Sequence, residues 1–236
     1  GPDKSKVLAF LLSLDKQDLA KHCLNLITED PNQFERYRLK AFLHQDDIDY
    51  SQLKVQITSL TRKPENLFSQ RQVKVFFEKL ERFLAELNAD DAPDFDLDKM
   101  QKVIEYTFQR INALLEHIDD STKQRQGCLH HLHQIYAHLL EQNQCRDDTQ
   151  GKRLFTFWLN DRFDLLGLQA VTWLRPKAKE KFKSLAKAQW SSHPSNSQTK
   201  LHTWQKEKLA RYLFEEAIQS HDNSRASEYR RFFSKD

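Results

Sequence analysis

The chain has 236 residues, with 37 Lys+Arg against 34 Asp+Glu and a formal charge of +3. Its 4 Gly and 6 Pro amount to about 4% of the residues, where roughly 12% is usual. So few turn-formers exclude β-sandwiches, barrels and Gly-rich phosphate loops and leave long helices, and 39% apolar residues with 16 Phe exclude a disordered chain.

Gly1-Pro2 has the character of a cleaved-tag remnant and is left out of the fold reasoning. Val7–Leu14 predicts a short apolar helix. Asp15 and Asp18 open a second, carrying Leu19, Cys23, Leu26 and Ile27. Pro31 follows Asp30 as a first-turn proline follows its cap, and leads into Phe34, Tyr37, Leu39, Phe42 and Leu43. Leu53, Val55, Ile57 and Leu60 alternate as a strand would. Leu53, Ile57 and Leu60 also fit helical spacing, and a lone strand would have no partner here, so a helix is expected.

Ser69–Leu87 is the strongest segment. Val73, Phe76, Phe77, Leu80, Phe83, Leu84 and Leu87 form one apolar stripe behind a Ser69–Gln72 capping box. After a break at 88–93, Leu97, Met100, Ile104, Phe108, Ile111, Leu115 and Ile118 form a second stripe. After Asp119-Asp120-Ser121, Leu129, Leu132, Tyr136 and Leu139 form a third. Short links make three such helices run up and down. The apolar stretch Leu154–Leu174 reads as a buried helix or helical pair. Pro176 starts a helix to Trp190, 191–198 is a loop, and helices follow over Thr199–Ser220 and Ser224–Phe233. The expected fold is all-α. A short-helix layer occupies 3–67, a long-helix bundle 68–146 and a basic helical subdomain 147–236.

Charge divides the chain, with a net −5 over residues 1–120 and +8 over 121–236. Ten cations lie between Val171 and Arg211, against Glu180 and Glu207, with Trp173, Trp190 and Trp204 interleaved. Lysines neutralise phosphates and aromatic faces stack on bases. A nucleic-acid surface would therefore use Arg175, Lys177, Lys179, Lys183, Lys187, Trp190, Lys200, Trp204 and Lys208. The bland reading of the same residues is a solvated helix face with three core tryptophans. Alternatively, the acidic run Asp90, Asp91, Asp94, Asp96 and Asp98 could dock onto this segment.

The histidines at 130, 131, 133 and 138 suggest a metal. However, His131, His138 and Cys145 are seven residues apart, about 10.5 Å along a helix, too far to share one zinc. No metal or other cofactor is expected. Asp161 and Asp164 are expected to cap a helix or pair with Arg162 and Arg153. The pairs Arg38…His44, Arg110…His117, Arg125…His130 and Arg125…His131 match an Arg-x4–6-His pattern. The pattern resembles the motif of the helical HEPN ribonucleases, and the resemblance implies acid–base attack on an RNA backbone. Phosphate-loop, dinucleotide and nucleophile-elbow motifs do not occur, so no catalytic residue is assigned.

Cys23, Cys128 and Cys145 are too few and too unevenly spaced for a disulfide framework and point to a reducing, cytoplasmic setting. No apolar run reaches about 18 residues, so no membrane partner is expected. The leading expectation is a non-enzymatic scaffold or interaction module with a protein partner. DNA or RNA binding through 171–211 comes second, and an Arg–His ribonuclease third.

Overall fold

Aspartates begin many of the helices. Asp15 accepts from the Asp18 amide at 2.8 Å, and Asp30 from the Asn32 and Gln33 amides at 2.9 and 3.4 Å. Asp49 accepts from Gln52, Asp96 from Lys99, and Asp222 from Arg225. Each carboxylate satisfies an amide that has no partner inside its helix. Ser69 and Gln72 form the reciprocal capping box, with bonds of 2.8 and 3.2 Å.

The computed structural model describes residues 1–63, 65, 69–192 and 201–233. These contain eleven α-helices, one 3-10 helix and no strand: an all-α, multi-helix fold. In chain order the helices are α1 (Pro2–Ser13), α2 (Lys16–Glu29), α3 (Pro31–Leu43), α4 (Tyr50–Leu60), α5 (Gln70–Leu87), α6 (Leu97–Leu115), α7 (Gln126–Gln142), α8 (Asp147–Leu159), α9 (Pro176–Ser191), α10 (Thr203–Gln219) and α11 (Asn223–Arg230). The 3-10 helix covers Leu168–Trp173, between α8 and α9. The loop expected at 191–198 lies almost wholly outside the described residues.

The contacts divide the chain into two units. The first joins residues 1–48 to 85–93. Here α2 packs on α3, and Leu39 and Leu43 are buried. The Glu86 carboxylate, itself buried, receives Arg36 at 2.7 Å and Lys40 at 2.8 Å. Lys40 also reaches Asp91 at 3.0 Å.

The second unit joins 49–84 to the chain from Asp94 onward. In it α4 rests on α6 through buried Leu53 and Ile57, which is why this alternating segment is a helix. Arg110 of α6 closes the end of α4 by donating to the carbonyls of Thr58 and Thr61 at 3.4 and 3.2 Å. The stripes of α5, α6 and α7 are buried as their spacing predicts: Val73, Phe77 and Leu80, then Ile104, Phe108 and Ile111, then Leu132, Tyr136 and Leu139. α6 and α7 pack together, and the buried Cys128 thiol of α7 donates to the Phe77 carbonyl of α5.

The stretch expected as one helix or a pair over Leu154–Leu174 is α8, a turn and the 3-10 helix. Buried Asp161 holds the turn, accepting from Asn112 Nδ2 and the Leu166 amide, both at 2.8 Å. Asn112 in turn accepts from the Phe163 amide at 2.9 Å. Asp164 and Gly167 take left-handed backbone angles, φ 52° and 72°. An inward-facing carboxylate thus organises the reversal that the apolar pattern alone does not reveal.

α8 and α9 make the most extensive helix pair, and Gly151 permits it. A Cβ built there would lie 2.5 Å from the Ala178 carbonyl and 2.8 Å from Lys181 Cβ. Gly151→Ala is expected to force α9 outward and cost about 1–3 kcal/mol, as overpacking does. Urea unfolding checks this. A neutral or stabilising result would mean that the helices are not held this close.

Candidate interaction surfaces

The basic segment does not form a single exposed face. The Arg175 guanidinium lies 2.9 Å from Asp147 and donates to the Cys145 carbonyl. Lys183 pairs with Glu216 at 3.3 Å. Lys208 is buried. Its ammonium donates to the Asp161 carbonyl at 2.8 Å, lies 3.5 Å from Asp164, and sits 5.0 Å from the Trp158 ring centre. Burial pulls the Lys208 pKa down, against the attraction of Asp161 and Asp164. Trp190 is half-buried, edge-on to Tyr229 and Phe232 at 5.4 and 4.8 Å. Trp204 is half-buried and stacks on His202. Lys177 and Lys187 are exposed and Lys179 is half-exposed. These three form no ion pair with another described residue. Lys200 lies outside the described residues.

The acidic run meets other cations. Asp91 pairs with Lys40, and Asp98 with Arg153 at 2.9 Å and Lys102 at 3.2 Å. Asp161 and Asp164 take Lys208 rather than Arg162 or Arg153. Arg162 pairs with Glu116, and Arg153 with Glu105 and Asp98.

Among the described residues no three His, Cys, Asp or Glu side chains are grouped to hold a metal ion. His133 Nε2 lies 2.6 Å from the Leu165 carbonyl, and its ring stacks on Phe108. The arginines of the Arg–His pairs have structural partners: Arg38 holds Glu35, Arg110 the end of α4, and Arg125 buried Asp120 at 2.9 Å. No helix among the described residues is long and apolar enough to cross a membrane.

A groove of about 1280 Å³ runs between α6 and α8 to the start of α10, lined by Glu105, Glu116, Arg153, Phe157 and Trp204 among others. Sequence reasoning missed its floor because the polar residues there sit among apolar ones. Tyr136 donates to Glu105 at 2.7 Å. Arg153 grips Glu105 with bonds of 2.7–3.0 Å. Below them, Gln101, Gln150 and Asn143 are buried and bonded to one another at 2.8–3.2 Å. Burial would lower the Arg153 pKa, but its bonds to Glu105 outweigh this and hold it raised. The Glu105 and Arg153 charges are already paired with one another and so offer little free charge to a ligand.

A third surface, on α1, is apolar. On α1, Val7, Leu8, Phe10 and Leu12 are exposed, and on α2 Leu24 and Leu26, at 54–75% of their full accessibility. α2 has no buried residue. Val7, Leu8, Leu11 and Leu12 share one face of α1, being one, three, four or five residues apart. The available signal was the unbroken run Val7–Leu12. A helix apolar on every side needs covering, and a two-faced layer helix does not read that way. Searches against protein-family models, curated proteins and solved structures found no match to this chain.

Proposed function

We propose that the chain is a helical interaction module that binds a protein partner through the apolar face of α1. The observation that carries this reading is the exposure of Val7, Leu8 and Leu12 on that helix. Fully burying one such side chain is worth about 1.5–3 kcal/mol, so leaving Val7, Leu8 and Leu12 of the α1 face in water forgoes several kcal/mol that a partner would recover. The basic segment draws less support. Of its eight described residues, three cations are paired and two tryptophans are packed on other rings.

A photo-crosslinking amino acid placed at Leu12 in cells is expected to give a discrete adduct. Leu8→Asp should remove it, because a carboxylate cannot enter an apolar contact without a large desolvation cost. A crosslinker at exposed Lys177 serves as control. The reading fails if Leu12 gives no adduct, or the same adduct as Lys177.

A further inference from the structure

We propose that a cavity between α9, α10 and α11 binds the phosphate group of a small phosphorylated molecule. This site is independent of the apolar face of α1. The cavity holds about 340 Å³, at the small end of ligand sites. Lys183, Lys187 and Trp190 line it from α9, four and then three residues apart and therefore on one face of that helix. Arg225 and Tyr229, four apart on α11, line it from the opposite end of the sequence segment. Leu213 and Ala217 of α10, both buried, supply its apolar lining.

Three cations and two carboxylates line the cavity, and both carboxylates are already engaged. Glu216 takes Lys183 at 3.3 Å. Asp222 caps α11 by accepting from the Arg225 amide at 3.1 Å. Lys187 is exposed, and the Arg225 guanidinium donates to the Tyr229 hydroxyl. Neither cation forms an ion pair with another described residue. Two unmatched positive charges, from different helices, therefore share one small cavity. A phosphate monoester carries about −1.5 to −2 at neutral pH and three acceptor oxygens, so it matches both cations where a carboxylate would match one. The guanidinium offers a fork of donors to phosphate oxygens and the ammonium adds a point charge. Trp190, edge-on to Tyr229 at 5.4 Å, forms an aromatic wall beside them. The volume suits one phosphate and a small group attached to it, and not the row of phosphates that a nucleic-acid strand presents. Arg225 lies beyond the basic run 171–211, so the sequence pattern does not disclose this grouping.

The test is titration of the full chain with inorganic phosphate and with glycerol phosphate, in sodium chloride of matched ionic strength, followed by the NMR signals of the tryptophan indole N–H groups. The Trp190 signal, assigned with Trp190→Phe, should shift and saturate with a dissociation constant of about 1 mM or tighter. Trp158, which does not line the cavity, should not move. Glycerol phosphate should bind at least as tightly as inorganic phosphate, because the cavity has room beyond the anion. Lys187→Gln and Arg225→Gln should each weaken binding about 10-fold or more. Lys177→Gln, on the same helix as Lys187 but outside the cavity, should leave it unchanged. All three residues are exposed, and circular dichroism checks that the variants stay helical. No saturating shift up to about 20 mM of either probe, or equal weakening by Lys177→Gln, would overturn the proposal. So would binding of inorganic phosphate without glycerol phosphate, or a short single-stranded RNA that moves the Trp190 signal where glycerol phosphate does not.

Discussion

Phe182→Ala should cost about 3–5 kcal/mol of the second unit's stability, the usual range for deleting a fully buried Phe. Phe182 is inaccessible to solvent. Its ring centre lies 5.4 Å from Phe155, 5.3 Å from Trp158 and 5.0 Å from Tyr212, each in edge-to-face geometry. One side chain of α9 thereby joins α8 and α10. Such pairs add roughly 0.5–1.5 kcal/mol each beyond the area they bury. All four tryptophans lie in the second unit, so tryptophan fluorescence in urea reports this unit. In a chain of this size the midpoint temperature should fall by about 2–4 °C per kcal/mol. Phe182→Leu should lose much less, since most of the volume is kept. A loss below about 1 kcal/mol for the alanine variant would mean that the aromatic cluster does not hold the three helices together.

Arg153→Met is expected to be nearly as damaging, at about 3 kcal/mol, because it strands Glu105 beneath the groove. The Glu105 and Arg153 side chains are 12% and 21% exposed, so solvent weakens the effect relative to a fully buried pair. Glu105 would keep Tyr136 as a donor and lose its counter-charge. Adding Glu105→Gln removes the stranded charge and keeps an acceptor for Tyr136. The double variant should therefore recover about 1–2 kcal/mol relative to Arg153→Met. A pH dependence belongs to the same network. Burial pushes the Asp98 carboxyl up, but hydrogen bonds from Arg153 and Lys102 outweigh it and leave the pKa lowered. A carboxyl lowered on folding stabilises fully above its unfolded pKa, about 4. That contribution is lost as pH falls through the lower folded value. Asp98→Asn should flatten the acid limb of stability against pH. If Arg153→Met proves as mild as a surface change such as Lys177→Met, the network is not holding α6, α7 and α8 in register.

What the sequence disclosed and what it withheld divide along physical lines. Asp15, Asp30 with Pro31, and Ser69 with Gln72 are readable because a cap acts within three residues. The stripes of α5, α6 and α7 are readable because helical periodicity is a property of a short window. Lys208 is not. Beside Leu209 and Tyr212 it has the look of any solvated lysine, and its burial follows from Asp161, 47 residues away. Gln101 and Gln150 each find their amide partner 49 residues distant. The same limit applies to α1. Its apolar run is visible in the sequence, but whether another element covers it is decided by tertiary packing, and here it stands exposed.

The discontinuous first unit has a consequence for synthesis on the ribosome. When residues 1–48 have emerged, α1, α2 and α3 are complete, yet Arg36 and Lys40 still lack Glu86 and Asp91. Residues 49–93 must be added first, which takes a few seconds at about 5–20 residues per second. Throughout that interval the apolar α1–α2 surface is outside the tunnel on an unfinished unit. Two ribosomes following one another on a single message hold two such surfaces close together before Glu86 and Asp91 have emerged to complete either unit.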